Sequence, residues 1–209
     1  VTVHFTQPTV LPSYLFRISD LYIPENNAEH TCFDEAVVLL DASFSDVQYT
    51  VLSPLFTLEL DGTFCVIPSL DYESQSRYDV SFYVSSSSIP IPTLLSLTVF
   101  VEDVNEEPVM RNECISVPED ALQSGWFYPL EGFDEDVGQT HAFSLAWCSA
   151  ADCPFGVMMN GTLHVVSALN YTHLNHYVLN VTVCDSGSPS LCSSASLFIR
   201  VAESLQNPV

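Results

Sequence analysis

The chain has 209 residues, which suits one large domain or two small ones, and it carries 26 acidic residues against four Arg and no Lys, a formal charge of −22. That balance excludes nucleic acid as a partner, because phosphate binding needs clustered cations, and it argues against docking on an anionic membrane, which needs a basic patch. The 47% apolar content supports folded cores rather than wholesale disorder, and no apolar run reaches the roughly 18 residues of a membrane span.

The first residues, Val1 to Thr6, lack the basic start and apolar stretch of a secretory leader. The chain is therefore expected to be an internal piece of a longer one. Strand signals dominate the rest of the chain. Segments 78–84, 94–101, 177–183 and 195–201 are short, rich in β-branched and aromatic residues, and roughly alternating. Clusters of Gly, Pro, Ser and Asn break them. No stretch offers a helical apolar stripe with caps at both ends, so an all-β pair of sandwiches is expected.

The chain repeats itself. Residues 56–66 line up with 155–165, and 70–73 with 169–172, at an offset of 99. Residues 23–26 match 117–120 at an offset of 94, and 101–108 match 201–208 at 100. Asp61-Gly62 and Asn160-Gly161 read as hairpin turns with both central positions at positive φ. This repetition implies two homologous β domains joined near Pro108, 13–108 and 109–209, with 1–12 as the tail of a preceding repeat.

Seven Cys and three sequons point to a secreted, oxidising compartment. The sequons start at Asn160, Asn170 and Asn180 and all fall in the second domain. No CxxC is present, so a zinc ribbon is disfavoured. Cys148 is close to Cys153, and Cys184 and Cys192 flank a turn sequence that a disulfide could clip. Cys32 and Cys65 then pair in the first domain, and Cys114 is left free or joined to a partner.

Five motifs in register carry a family resemblance. The first unit has Pro24-Glu25-Asn26, Leu70-Asp71-Tyr72-Glu73 and Asp103-Val104-Asn105-Glu106-Glu107-Pro108. The second has Asp134-Glu135-Asp136 and Asp185-Ser186-Gly187. Over almost its whole length the chain resembles tandem extracellular cadherin repeats. The resemblance implies seven-stranded Greek-key sandwiches placed end to end, with calcium at the junction. The matched positions supply Glu25, Asp71, Glu73, Asp103, Glu106, Asp134, Asp136 and Asp185. Eight carboxylates suit about three or four divalent ions, with Asn105 and the carbonyls of Glu107 and Thr140 completing the oxygen shells. Bound ions would stiffen a linker that otherwise pivots.

Departures from the family pattern make the rod asymmetric. The Asp-x-Asp position of the first unit reads Asp41-Ala42-Ser43, and the counterpart of Asp185 reads Ser86. The linker before the first unit, 5–10, has no acid. In the second unit Asn170 and Thr172 stand where Asp71 and Glu73 stand in the first, and its linker, 202–208, has lost most ligands. Only the central junction is expected to be fully equipped.

Catalysis finds no support. Asp134 and Asp136 lie too close on one segment to flank a glycoside, His173 and His176 lack a third zinc ligand, and no nucleophile elbow or phosphate-cradling loop occurs. Trp126 and Trp147 read as core aromatics rather than sugar platforms. The expected function is calcium-dependent adhesion at the cell surface. The partner is a protein, homophilic or heterophilic, with no small-molecule substrate, and the chain belongs to a longer membrane-anchored or secreted protein. The alternative is a structural repeat of an extracellular filament, stalk or coat.

Overall fold

Strands carry nearly all the regular structure in the computed structural model, which describes residues 16–34, 36–40, 46–87 and 89–203. The expected tail at 1–12, the Asp41-Ala42-Ser43 position and residues 204–208 of the second linker lie outside these. The chain divides into two compact units, Val1–Val104 and Asn105–Val209.

In the first unit the strands are β1 (Phe16–Ile18), β2 (Leu21–Pro24), β3 (Thr31–Phe33), β4 (Val37–Leu39), β5 (Gln48–Val51), β6 (Phe56–Leu58), β7 (Phe64–Val66), β8 (Arg77–Ser86) and β9 (Ile89–Glu102). They form a four-stranded sheet in the order β2-β9-β8-β5, a three-stranded sheet β3-β7-β6 and the pair β1-β4. Period-two alternation explains the long hairpin. Val80, Phe82 and Val84 of β8 point inward and are buried, with Leu95, Leu97 and Val99 of β9 beside them. Ile23, Phe56, Phe64 and Val66 close the same core. The first strand is split rather than continuous. β1 pairs antiparallel with β4, and two residues later β2 pairs parallel with β9. Asp20, inside the break, accepts the Thr98 N–H and pins the crossing point.

Among its described residues the second unit has seven strands and one helical turn: β10 (Glu113–Pro118), α1 (Ala121–Ser124), β11 (Phe127–Pro129), β12 (Ala142–Cys148), β13 (Phe155–Val157), β14 (Thr162–Val165), β15 (His176–Cys184) and β16 (Cys192–Ala202). The sheets run β10-β16-β15-β12 and β11-β14-β13. Here too the first strand is divided, because Val109 bridges Phe133 before β10 pairs parallel with β16. Val117, Leu163, Leu179, Val181, Val183, Leu197 and Val201 fill the core.

The two repeated turns differ from expectation in one respect. Gly62 and Gly161 have φ of 90° and 83°, but among the described non-glycine residues only Asn26 and His30 have positive φ. Asp61 and Asn160 instead use their side chains, each accepting the N–H two residues on, from Thr63 and Thr162. A single left-handed glycine suffices in each turn.

Disulfides join Cys32 to Cys65, Cys148 to Cys153 and Cys184 to Cys192, leaving Cys114 as an exposed thiol. The expectation that both Trp are core residues holds for Trp126, which packs against the second core. It fails for Trp147, which is 57% exposed. A bulge between Leu145 and Trp147 shifts the β12 register against β15 and turns the indole outward.

Candidate metal centre

In the first unit Glu25 follows β2 directly, and its N–H continues the parallel ladder onto Glu102. The side chain is buried, with 4% exposure. Its Oε2 accepts the Tyr72 N–H at 2.7 Å and its Oε1 the Val104 N–H at 2.8 Å. Glu25, Glu73 and Asp103 each offer an oxygen, and these atoms lie within 4.8 Å of one another. Ligands on opposite sides of one calcium ion are about 5 Å apart, since each sits at roughly 2.3–2.6 Å. One ion could therefore be shared by all three. Asp71 is not in that triplet. Its Oδ1 accepts the Ser74 N–H at 2.7 Å, closing the turn that presents Glu73.

The second unit holds its own polar web. Asn105 donates from Nδ2 to Asp185 Oδ2 at 2.9 Å and to the Pro189 carbonyl at 3.0 Å, and its Oδ1 accepts Gln139 Nε2 at 2.6 Å. Asp136 Oδ2 accepts the Glu106 N–H at 2.9 Å, and the Asp136 N–H donates to Asp134 Oδ1 at 3.1 Å. Asp134 also faces His141 Nε2 at 3.2 Å. Asp185 accepts the N–H groups of Gly187 and Leu191. The Cys184–Cys192 bond closes the loop that carries it. Burial raises the Asp185 pKa, but hydrogen bonds from Asn105, Leu191, Gly187 and Ser190 outweigh this and hold it below its ordinary value. The Thr140 N–H donates to Ser186 Oγ at 3.0 Å. Glu107 is exposed, and its side chain makes no hydrogen bond to a described residue.

Three observations fit this chemistry to a hard cation. Asp136 and Asp185 are buried, at 7% and 6% exposure. The groups that bond them and Glu25 are backbone N–H groups, Asn105 and Ser190, none of them a cation. The Gln139 Oε1 is buried with no hydrogen-bond partner, an acceptor of the kind a metal satisfies. The donor set is all oxygen, which suits calcium rather than zinc. Gln139 is absent from the ligands expected from sequence, although it stands three residues beyond the Asp134-x-Asp136 motif. Gly187 is marked in the sequence only as the end of the Asp185-Ser186-Gly187 motif. A side chain on it would fall on Asn105 Oδ1.

The counterpart in the second unit is built differently. Glu119 Oε1 accepts the Tyr171 N–H at 2.8 Å, as Glu25 does with Tyr72. Asn170, however, turns its Oδ1 onto the N–H groups of Thr172 and His173 and onto Thr172 Oγ1.

No family model matches the chain. The Fat-like cadherin-related tumor suppressor homolog of Drosophila melanogaster is 27% identical over 166 residues, covering 74% of this chain and 4% of that protein. Human protocadherin alpha-7 is 29% identical over 169 residues, covering 76% of this chain and 18% of its own length. The chain thus spans a small part of the curated relatives it matches. Among solved structures, human Protocadherin-24 EC1-2 superposes with a TM-score of 0.68 at 20% identity, covering 90% of this chain and 96% of that one.

Proposed function

We propose that this chain, a fragment belonging to the cadherin superfamily, is a calcium-stiffened pair of extracellular adhesion repeats. One observation carries the reading. The acidic cluster of the first unit ends on Asp103 and Val104, and the polar web of the second begins at the next residue, Asn105. The whole chain has four Arg and no Lys against 26 acids, and it presents the two halves in succession.

Calcium would be held by Glu25, Asp71, Glu73 and Asp103 from the first unit. Glu106, Asp134, Asp136, Asp185 and Asn105 would hold it from the second, with backbone carbonyls of Glu107 and Thr140. When bound, it supplies positive charge that offsets the mutual repulsion of these carboxylates. The side chains do the positioning. Glu25 is aimed by the Tyr72 and Val104 N–H groups, Asp136 by Glu106, and Asp185 by its disulfide-closed loop. The disulfides suit an oxidising, extracellular setting. The chain would serve there as part of a longer secreted or membrane-anchored protein with a protein partner. Sugars at Asn160, Asn170 and Asn180 would coat the second unit and leave the first as the barer contact surface.

The test is limited proteolysis and thermal melting with and without a calcium chelator. Chelation should leave both units folded near room temperature, lower the melting temperature and speed cleavage between Asp103 and Pro108. Unchanged cleavage and melting would remove the calcium assignment.

A further inference from the structure

We infer that Trp147 is the platform on which the N-linked glycan of Asn180 lies. The two residues are direct partners in the β12–β15 ladder. Paired residues on one face of an antiparallel ladder have Cβ atoms about 4.5–5.5 Å apart. The first sugar on Asn180 Nδ2 is therefore delivered to the edge of the indole.

The indole needs a cover. Trp147 is 57% exposed, on the outer face of a sheet whose inner face is the core. Burying large aromatic surface is favourable, and a tryptophan left this open wants an apolar partner with polar edges. A pyranose ring is such a partner, because its C–H groups form one flat apolar face while its hydroxyls point to water. The bulge between Leu145 and Trp147 is the local device that aims the ring outward beside Asn180.

Asn180 is placed to carry the sugar. It begins the sequon Asn180-Val181-Thr182, it is half-exposed on the same face, and its side-chain amide makes no hydrogen bond to a described residue. Its partner on the other side is Ser196, which is small enough to leave room. The other two sequons differ. Asn160 and Asn170 accept local N–H bonds at turns, from Thr162 and Thr172, and neither has an aromatic partner across a ladder.

The chemistry of attachment is a glycosyl transfer. The donor is an oligosaccharide whose reducing-end N-acetylglucosamine is linked through C1 to a lipid pyrophosphate. Asn180 Nδ2 forms a bond to C1, the C1–O bond breaks, the lipid pyrophosphate leaves with that electron pair, and the amide loses one proton. Nothing is oxidised or reduced. Asn180 lies within an inner strand of the sheet and Thr182 Oγ1 meets Ser194 Oγ at 2.9 Å, so transfer precedes folding of this sheet, and the sugar settles on Trp147 as β12 docks.

The inference rests on the reading of Asn180 as a glycan site, and the experiment separates the two. The 209-residue chain is secreted from a eukaryotic cell with Asn160→Gln and Asn170→Gln, and the occupancy of Asn180 is read by peptide mapping. The N-acetyl methyl proton of the first sugar is then located by NMR, and melting is compared before and after enzymatic removal of the glycan. In the parent the methyl signal is expected upfield of its position in a free glycopeptide, shifted by the indole ring current. Glycan removal is expected to lower the melting temperature of the second unit by about 4 °C, the scale of one aromatic contact in a domain this size. Trp147→Phe should retain part of both effects and Trp147→Ala neither. An occupied Asn180 with a free-glycopeptide methyl shift overturns the platform and leaves glycosylation standing. An unmodified Asn180 overturns both.

Discussion

Glu25 accepts the backbone N–H of Tyr72 at 2.7 Å across 47 residues of sequence, tying the end of β2 to the turn that carries Asp71 and Glu73. The second unit repeats the bond between Glu119 and Tyr171 at 2.8 Å. The same backbone duty therefore falls on two glutamates with different surroundings. Glu25 also receives Val104 and shares a 4.8 Å cluster with Glu73 and Asp103, whereas beside Tyr171 the Asn170 side chain is committed to Thr172 and His173. Glu25→Ala should weaken calcium binding by more than the roughly 10–100-fold that loss of an outer-shell partner costs. Glu119→Ala should leave the affinity nearly unchanged. Calorimetric titration of both variants in the same chain decides it, and equal losses would mean that the far end of the second unit also binds calcium.

Gly187→Ala should separate the metal web from the fold. The new methyl would fall on Asn105 Oδ1, and an Asn side chain can swing away. Doing so breaks its bonds to Gln139, Asp185 and Pro189. We expect a melting temperature in chelator lowered by no more than roughly 4–8 °C, the shift that about 1 kcal/mol produces in a domain of this size. Calcium affinity should fall about tenfold or more. A variant that binds calcium normally would show that Asn105 has no part in the site.

Gly62→Ala and Gly138→Ala form a matched pair. Both glycines have φ of 90°. At Gly62 a methyl would run into the Val37 carbonyl oxygen, while at Gly138 nothing stands within 4 Å. Backbone strain alone costs about 1–2 kcal/mol. The Gly138 variant should show that much in a urea melt. The Gly62 variant should lose clearly more, since the Val37 N–H bond to the Gly62 carbonyl must shift as well. Equal losses would mean that the β4 strand yields freely.

Asp46 should make the first unit sensitive to acid. Its Oδ1 accepts Ser86 Oγ at 2.6 Å and its Oδ2 the Ser87 N–H at 2.7 Å. These bonds, Ser86 first, lower its pKa from 3.8 to about 2. A carboxyl depressed in the folded state stabilises that state fully above its unfolded pKa, and the contribution fades as pH falls through the folded value. The stability gap between the parent and Asp46→Asn should thus be widest near neutrality and shrink between about pH 4 and pH 2. Chemical denaturation at several pH values measures it, and a gap that does not change with pH would show that the clamp does not depend on charge.

The long hairpins were legible because their inner residues alternate without interruption, as Val80, Phe82 and Val84 do on β8. The acids were singled out by their place in five motifs along the chain, and of these Glu25, Glu73 and Asp103 meet in one cluster. Other features depend on distant partners. The break between β1 and β2 arises from pairing with β4 and then β9, and neither partner is visible from residues 16–24. Trp147 looked like a core residue because the extra residue of its bulge shows only against the β15 register. Gln139 is chemically ordinary until Asn105 takes its amide and leaves its oxygen buried.

The parallel pairing of β2 with β9 and of β10 with β16 has a mechanical consequence. Leu21–Pro24 runs beside Val99–Glu102, and Glu113–Pro118 beside Leu197–Ala202, in the same direction. Chain therefore enters a unit at one end of this pair and leaves it at the other, so tension on the two termini slides the strands past each other along their length. Hydrogen bonds loaded in this way share the force and must fail together, whereas an antiparallel hairpin pulled from its open end loses them one at a time.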